Sequence, residues 1–228
     1  MRQLLLDWGA ARPQTLDNFV VGSNQELAAR LRPVAASASL GSNHALLLIW
    51  GEAGSGKSHL LKALSSNTSA QLLTPASPLN AFGWSTNHSL YLIDDCDQLN
   101  SEQQHALFNL INQVRENNGA LIASAKQAPL QLALREDLRT RLGWGLVYQV
   151  HSLSDEENID ALTKSAVSRG LSLSAGVLPY LLTHFRRDMQ SLSTMLDALD
   201  RYSLETQRPI TLPLLRELLQ TGDRTSLP

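Results

Sequence analysis

One stretch of sequence decides the fold of this chain: Gly51-Glu52-Ala53-Gly54-Ser55-Gly56-Lys57-Ser58. It matches the pattern G-x-x-x-x-G-K-[ST] at every fixed position, and the apolar run Ala45–Trp50 leads directly into it. A strand, a glycine-rich loop and a helix, here His59–Leu64, are typical in this order of a loop that binds phosphate through successive backbone N–H groups. Glycine allows the left-handed backbone conformations that such a loop requires. The pattern therefore predicts an α/β domain that binds a nucleotide, rather than a simple glycine-rich turn.

Each residue of this loop has an expected role at the nucleotide. Lys57 should reach the β and γ phosphates, and the hydroxyl of Ser58 should bind Mg²⁺. The following helix adds its positive amino-terminal end to the anion site. The expected ligands are therefore ADP or ATP together with Mg²⁺. The other nucleotide-binding candidates around the loop are Gly51, Gly54, Ser55, Gly56 and His59.

A second motif lies at Leu90–Asp95, where an apolar strand ends in two carboxylates. After a phosphate loop, this arrangement is typical of a Walker B element. Asp94 is the candidate to hold Mg²⁺ through its water shell, and Asp95 is the candidate to orient or polarise the attacking water. Without the loop, the same residues would indicate an ordinary boundary between a strand and a turn.

Composition and charge exclude several classes of protein. The net charge is −2 over 228 residues, and no Lys or Arg occurs between Lys62 and Arg115, so we expect little direct DNA binding. Cys96 is the only cysteine, which excludes an internal disulfide and favours a reducing, cytoplasmic location. No apolar run reaches the length of a membrane span or fits a signal peptide.

The other apolar runs predict a parallel sheet flanked by helices. Further strands are expected at Gln71–Thr74, Ala120–Ser124 and Leu146–Val150. Because turns and helical patterns separate these runs, the expected fold class is an α/β phosphate-loop nucleotidase.

Two helices of this domain are expected from capping signals. Ser23 and Glu26 form a capping-box pattern for a helix that should end near Pro33. Ser101–Asn117 has apolar residues at helical spacing, with Ser101 and Gln104 as its expected capping box.

The last third of the chain predicts a small all-helical domain. Its first helix should be capped by Ser154 and Glu157 and stop at Gly170. Further helices are expected at Ser174–Phe185, Asp188–Leu204 and Leu212–Leu219. The expected domains are a flexible arm at 1–14, a nucleotide-binding domain at 15–152 and a helical domain at 153–228.

A stretch near the end of the nucleotide-binding domain resembles a family motif. Leu138–Leu146 is similar to the Ser-Arg-Phe-Gly-Trp-Gly-type box of the DnaA family of AAA+ proteins. The resemblance implies that Arg141 is an arginine finger, which reaches from one subunit to the nucleotide of its neighbour, with Arg139 and Arg135 as candidate assistants. Trp144 is expected to pack. For an arginine outside such a box, a solvated surface side chain would be the alternative.

The same resemblance implies further contacts with the nucleotide. Thr15–Asn24 is similar to the entry to the adenine side in DnaA relatives, which implies that Phe19 and Val20 contact the nucleotide. AAA+ proteins place a polar sensor near the γ-phosphate at the end of a strand, and Ser124 is the candidate here. Lys126 departs from the family, which tends to have an acidic residue at this position.

The helical domain resembles an AAA+ lid, which implies a second sensor. In the family, an arginine near the start of the third lid helix senses the γ-phosphate. Gln190 occupies the matching position, and Arg187, next to Arg186, lies about one turn earlier. Ion pairing with neighbouring acids is the alternative for these two arginines.

The amino-terminal arm carries a candidate docking peptide, Gln3-Leu4-Leu5-Leu6-Asp7-Trp8. It resembles the short peptides that bind the sliding clamp of bacterial DNA polymerase III, the β subunit, with Gln3, Leu4, Leu6 and Trp8 as clamp-binding residues. Such a peptide offers apolar anchors to a preformed pocket and one amide for a hydrogen bond. For an isolated protein, a disordered or self-packed arm would be the default.

Taken together, these features resemble the regulatory inactivators within the DnaA-related AAA+ family, which have no helix-turn-helix DNA-binding domain. The resemblance implies a negative regulator of chromosomal replication that works with the DNA-loaded clamp and stimulates hydrolysis of ATP bound to DnaA. Its own ATPase activity would be weak or absent, and self-association into a homo-oligomer is open. Three alternatives remain: an AAA+ helicase loader or motor, a truncated initiator that binds DNA, and a small-molecule kinase.

Overall fold

The computed structural model describes residues 13–40, 45–185 and 188–223. Within them the chain divides into two compact units, Pro13–Ser152 and the residues from Leu153 onward. No helix among the described residues is long and apolar enough to cross a membrane.

The first unit is built on a parallel sheet of five strands in the order β2-β3-β4-β1-β5. All five strands expected from the sequence are present: β1 Leu46–Trp50, β2 Ala70–Leu73, β3 Leu90–Ile93, β4 Ala120–Ala125 and β5 Leu146–Gln149. The central strands β3 and β4 are completely buried, which explains why they are continuous apolar runs rather than alternating ones. The predicted α/β fold class is therefore confirmed.

Four helices cover the two faces of this sheet: α1 Gln25–Ser37, α2 Lys57–Leu64, α3 Ser101–Glu116 and α4 Glu136–Gly143. Leucines of α1 and α2 pack on one face with Leu47 and Ile49 of β1. Leucines of α3 and α4 pack on the other face with Leu46 and Leu48. Successive β1 side chains point to opposite faces, so this one strand is buried between both layers.

The start and end of α1 differ from the sequence prediction. Its N-cap is Asn24, not Ser23, and no side chain caps it. The Asn24 amide instead pairs with the His151 backbone: Nδ2 donates to the carbonyl oxygen at 2.9 Å, and Oδ1 accepts from the N–H at 2.8 Å. Pro33 lies inside the helix, which continues to Ser37. A proline inside a helix loses one hydrogen bond and crowds the preceding turn, and burial of Val34 in the core opposes that cost.

The capping box of α3 is also displaced by one residue. Asn100 is the N-cap, its side chain accepts from the Gln103 N–H at 2.9 Å, and the Gln103 side chain accepts from the Asn100 N–H at 3.1 Å. The prediction of Ser101 and Gln104 was therefore wrong. Asn100 caps as well as serine, so local propensity does not separate the two registers.

The second unit contains four helices: α5 Asp155–Ser168, α6 Val177–His184, α7 Met189–Thr206 and α8 Leu212–Asp223. The Ser154 and Glu157 capping box of α5 is confirmed. The second helix begins later than predicted, because Gly176 at φ 94° forms a left-handed N-cap just before it. Leucine-rich faces of all four helices form one separate core.

Candidate nucleotide site and the Arg141 surface

The phosphate loop lies at the carboxyl edge of the sheet, between β1 and α2. Gly54 and Gly56 have φ values of 84° and 100°, which is the left-handed conformation that the sequence pattern requires. A Cβ on Gly56 would lie 2.8 Å from Cε2 of Phe19. Phe19 therefore packs directly against the loop, and both glycine freedom and the absence of a side chain are needed there.

Lys57 is enclosed by the loop that precedes it. Its side chain is buried, with the residue 6% exposed, and Nζ donates to the carbonyl oxygens of Gly51 at 2.8 Å and Glu52 at 2.7 Å. Burial lowers the pKa of Lys57, and the nearby charges of Asp95 and Asp94 oppose that shift. The loop therefore holds the ammonium group in the position from which it can meet a phosphate.

Asp94 joins the loop to the strands beside it. Its Oδ1 accepts from the Ser58 hydroxyl at 3.0 Å and from the Ser124 hydroxyl at 2.7 Å. A serine hydroxyl and a carboxylate at this separation are the oxygen donors that Mg²⁺ prefers. The described residues contain no group of three or more His, Cys, Asp or Glu side chains that could hold a metal. The pair thus fits an ion shared with nucleotide phosphates, rather than one enclosed by protein ligands.

Ser124 has a role that the sequence did not reveal. It is completely buried, and its Oγ donates to Asp94 while accepting from the Asp95 N–H at 2.8 Å. The hydroxyl thus fixes both Walker B residues relative to β4. Its expected role as a γ-phosphate sensor stays a prediction, since its one proton is already committed to Asp94.

Asp95 is held in an unusual backbone conformation for a residue with a side chain. Its φ and ψ are 51° and 52°, in the left-handed region, which costs free energy and is common at functional sites. Burial, followed by the charges of Asp94 and Asp97, raises the pKa of Asp95. A raised pKa makes this carboxylate a stronger proton acceptor, as a residue that polarises water requires.

The adenine-side candidates surround the start of α2. His59 donates through Nε2 to the Thr15 carbonyl oxygen at 2.8 Å, and its ring lies 5.6 Å from the Phe19 ring. Burial lowers the pKa of His59, so the neutral ring is favoured. Val20 is half-buried in the same segment. Contact of these residues with a nucleotide stays a prediction.

Arg141 lies in the last turn of α4 between two aromatic rings. Its guanidinium carbon is 4.5 Å from the centre of the Trp144 ring and 5.4 Å from that of Phe108. Trp144 is 65% exposed, and it packs against the Arg141 cation rather than in the interior. Within the described part of the chain, the Arg141 guanidinium forms no ion pair or hydrogen bond.

Arg141 and the phosphate loop lie at opposite edges of the sheet. A Cβ on Gly145, just after α4, would lie 2.3 Å from the carbonyl oxygen of Leu46, the first residue of β1, whereas the loop follows Trp50, the last. At about 3.3 Å per residue, these two ends of β1 are about 13 Å apart. The last turn of α4, which carries Arg141, thus ends beside the start of β1, whereas the phosphate loop follows the end of β1.

Around Arg141 is an open depression of about 730 Å³ that is lined by Phe108, Arg135, Glu136, Asp137, Thr140, Arg141 and Trp144. Arg135 is paired there with Asp137, Nη2 to Oδ2, at 2.9 Å. Arg139 is half-buried on α4. Assisting roles of Arg135 and Arg139 stay predictions.

Three other sets of candidates belong to the second unit or lie outside the described residues. Gln190 lies in the first turn of α7, in the second unit, where its carbonyl oxygen accepts from the Thr194 hydroxyl at 2.8 Å. Arg187, with Arg186, lies outside the described residues, and so do the clamp-binding candidates Gln3, Leu4, Leu6 and Trp8.

Comparison with known sequences decides the family. The profile described as the bacterial DnaA ATPase domain matches residues 11–75 and 84–149, which is more than half of the chain. The chain belongs to this DnaA-related AAA+ family. Residues 155–219 match the profile described as the Hda lid domain. The family relates the chain to DnaA-related regulation of replication, and its second unit is an Hda-type lid.

Individual relatives agree with this assignment. A protein of Haemophilus influenzae strain Rd, described as uncharacterized, is 34% identical over 218 residues, covering 90% of this chain and 93% of the relative. Domain III of the Thermotoga maritima initiator DnaA has the same fold, with a TM-score of 0.73, 20% identity, and coverage of 92% of this chain and 96% of that one. AMPPCP-bound DnaA from Aquifex aeolicus gives a TM-score of 0.69 and 19% identity, covering 85% of this chain and 67% of that one.

Proposed function

We propose that this protein is a negative regulator of replication initiation that acts on DnaA. Together with the DNA-loaded sliding clamp, it stimulates hydrolysis of ATP bound to DnaA and leaves DnaA in its inactive ADP form. Arg141 acts in trans, since it supplies positive charge to the phosphates at the DnaA site where the transition state gathers negative charge. The protein is then an activator of the partner's active site, and its location is the cytoplasm.

The observation that carries this proposal is the surroundings of Arg141. Its guanidinium is stacked on Trp144 and Phe108, it forms no ion pair within the described residues, and it lies at the sheet edge opposite its own phosphate loop. An arginine that bound a carboxylate or backbone carbonyls of its own chain would have its charge already neutralised. A stacked, unpaired guanidinium in an open depression is suited to meet an anion on another molecule.

The protein's own nucleotide site supports a holding role in this proposal. Lys57 and Ser58 would bind the phosphates of ADP or ATP, and Asp94 would help to hold Mg²⁺, which shields the phosphate charge when bound. The Aquifex DnaA structure was obtained with AMPPCP, which supports the nucleotide class. A bound nucleotide would fix the loop and the segment around Phe19 without needing to be hydrolysed.

The test is hydrolysis of DnaA-bound ATP in the presence of clamp-loaded DNA. We expect the intact protein to stimulate it, and Arg141→Ala to remove the stimulation. Arg115→Ala is the matched control, since Arg115 is an exposed arginine of α3 in the same unit. Equal stimulation by the Arg141→Ala variant would exclude the proposed role.

The clamp requirement is tested separately. A variant with Gln3, Leu4 and Leu6 replaced by alanine should lose binding to the clamp and lose stimulation, while its affinity for nucleotide stays unchanged. Stimulation that survives without clamp binding would remove the clamp from the proposal but leave the role of Arg141.

A helicase loader or motor is a second candidate, favoured by the intact group of Lys57, Ser58, Asp94 and Asp95. Such a protein would turn over its own nucleotide rapidly without DnaA. Vigorous ATPase activity of the isolated chain that Asp95→Asn abolishes, together with no effect on DnaA, would select this candidate.

A further inference from the structure

Two residues of α4 have the spacing of a helical ion pair. Asp137 and Arg141 are four residues apart, and an acidic residue followed by a basic residue at this interval normally meet on the helix surface. Both line the same depression. The sequence of α4 alone therefore predicts that Asp137 binds the Arg141 guanidinium and neutralises it.

In the folded protein, Asp137 is bound by another arginine. Arg135 donates to it twice, from Nη2 to Oδ2 at 2.9 Å and from Nε to Oδ1 at 3.3 Å. Oδ1 of Asp137 also accepts from the Leu138 N–H at 2.8 Å. The Arg135 hydrogen bonds, ahead of the other contributions, lower the pKa of Asp137. The carboxylate is thus ionised and already occupied.

Arg135 is itself fixed from α3. Its Nη1 lies 3.0 Å from Nδ1 of His105, and its backbone N–H donates to Oε1 of Gln104 at 3.1 Å. The His105 contact holds the guanidinium beside Asp137, and the Gln104 bond fixes the backbone of Arg135. They leave Arg141 stacked between Trp144 and Phe108.

We propose that Arg135 is a positioning residue that keeps Arg141 available, because it occupies the carboxylate that would otherwise capture Arg141. This inference rests on the proposed function of Arg141, and it differs from direct assistance at the partner's phosphates. The Arg135 guanidinium is already neutralised by Asp137, so it has little charge to offer to a second anion. Removal of Arg135 instead releases Asp137, which can then bind Arg141.

The two roles of Arg135 predict different results for a second substitution. We expect Arg135→Gln to lower stimulation of DnaA-bound ATP hydrolysis by about two- to threefold, the range expected for one exposed ion pair. Adding Asp137→Asn should restore stimulation to the wild-type level, because the competing carboxylate is gone. Arg135→Gln with Glu136→Gln is the matched control and should stay low, since it removes a neighbouring charge without removing the competitor.

The resonance of the Arg141 Nε–H group in the free protein provides a measurement that does not depend on activity. Its chemical shift should change in the Arg135→Gln variant and should return to the wild-type value in the double variant with Asp137→Asn. Thermal unfolding of each variant checks that the fold is kept.

Failure of this inference is distinct from failure of the proposed function. If Arg141→Ala abolishes stimulation but the Arg135→Gln loss persists with Asp137→Asn, Arg135 contacts the partner directly and the inference is overturned. Wild-type stimulation by Arg135→Gln also overturns it. If Arg141→Ala stimulates normally, the proposed function itself fails.

Discussion

The positive charges at the two edges of the parallel sheet have opposite environments. At the carboxyl edge, the Lys57 ammonium is buried and bound by carbonyl oxygens of Gly51 and Glu52. At the amino edge, the Arg141 guanidinium lies on the ring of the exposed Trp144. One cation is enclosed by its own chain, and the other faces outward.

This difference indicates two different kinds of ligand. A buried cation with fixed partners suits a small ligand that enters the loop, because the protein has already supplied the desolvation and the geometry. A stacked cation in an open depression suits an anion delivered by a second macromolecule, because the aromatic faces orient the guanidinium without neutralising it. The following predictions separate the two edges.

The largest expected effects come from two single variants, one at each edge of the sheet, which two assays should distinguish. Lys57→Ala should weaken the protein's own nucleotide binding by about 10- to 100-fold, since it removes charge-assisted hydrogen bonds. Arg141→Ala should leave that affinity unchanged and remove stimulation of the partner, where fingers in trans contribute about 10³- to 10⁵-fold. Titration of labelled ADP and the DnaA hydrolysis assay measure the two effects. Excess nucleotide should restore stimulation of the partner only in the Lys57 variant. Restored stimulation in both variants would mean that the two edges share one function.

Glycine substitutions should disturb both edges through the backbone. A Cβ on Gly51 would lie 2.4 Å from the carbonyl oxygen of Val150, and one on Gly145 would lie 2.3 Å from that of Leu46. Each alanine variant should lower the free energy of unfolding by about 1–3 kcal/mol, as measured by urea denaturation. Gly83→Ala is the control, because its nearest atom is 3.7 Å away and its change should be within about 0.5 kcal/mol. Equal stability of all three variants would contradict this account of the packing.

Trp144→Ala should reduce stimulation of the partner by about two- to fivefold, the value of an exposed cation–π contact of about 0.5–1 kcal/mol. Its effect on stability should be small because the side chain is 65% exposed. Trp144→Phe should keep most of the stimulation. By contrast, Trp84→Ala should lower stability, since Trp84 packs on the core. A Trp144→Ala variant that unfolds easily would mean that the ring supports the fold rather than the finger.

The smallest expected effect concerns Asp95 and pH. Because its pKa is raised in the folded protein, its ionised form destabilises the fold at neutral pH; the penalty is complete above the raised pKa and vanishes as pH falls to the ordinary value of 3.8. Asp95→Asn should therefore raise Tm at neutral pH by no more than about 3 °C, and asparagine also tolerates the left-handed backbone. The difference from wild type should shrink on acidification, which calorimetry across pH can measure. If the difference in Tm grew on acidification, the pKa of Asp95 would be lowered in the folded protein rather than raised.

Local patterns were enough to predict the strands, the phosphate loop and the Walker B carboxylates. Each depends on residues that are close in sequence: a buried parallel strand must be apolar throughout, and a phosphate loop needs glycine at fixed intervals. The displaced capping box of α3 shows where prediction from local patterns ends. Ser101 and Asn100 cap almost equally well, so contacts elsewhere select between them.

The roles that the sequence missed depend on residues far apart in the chain. Asn24 pairs with His151, 127 residues away, and Ser124 fixes Asp94 and Asp95 across neighbouring strands. Neither pairing leaves a periodic or local signal. The contact of Phe108 with the Arg141 guanidinium has the same origin, since only the packing of α3 beside α4 brings these two residues together.

The sequence by itself determined which residues are candidates for the chemistry of this protein: a phosphate loop, two carboxylates at the end of a buried strand, and an arginine within a family box. These follow from residue types at short spacing, where the backbone permits few geometries. Only the tertiary structure decided which charges stay available. Asp137 could bind Arg141 along α4, but it binds Arg135, which α3 holds in place. Competition among charges is settled by which partners the fold brings within hydrogen-bond distance, and chain order alone does not fix that distance.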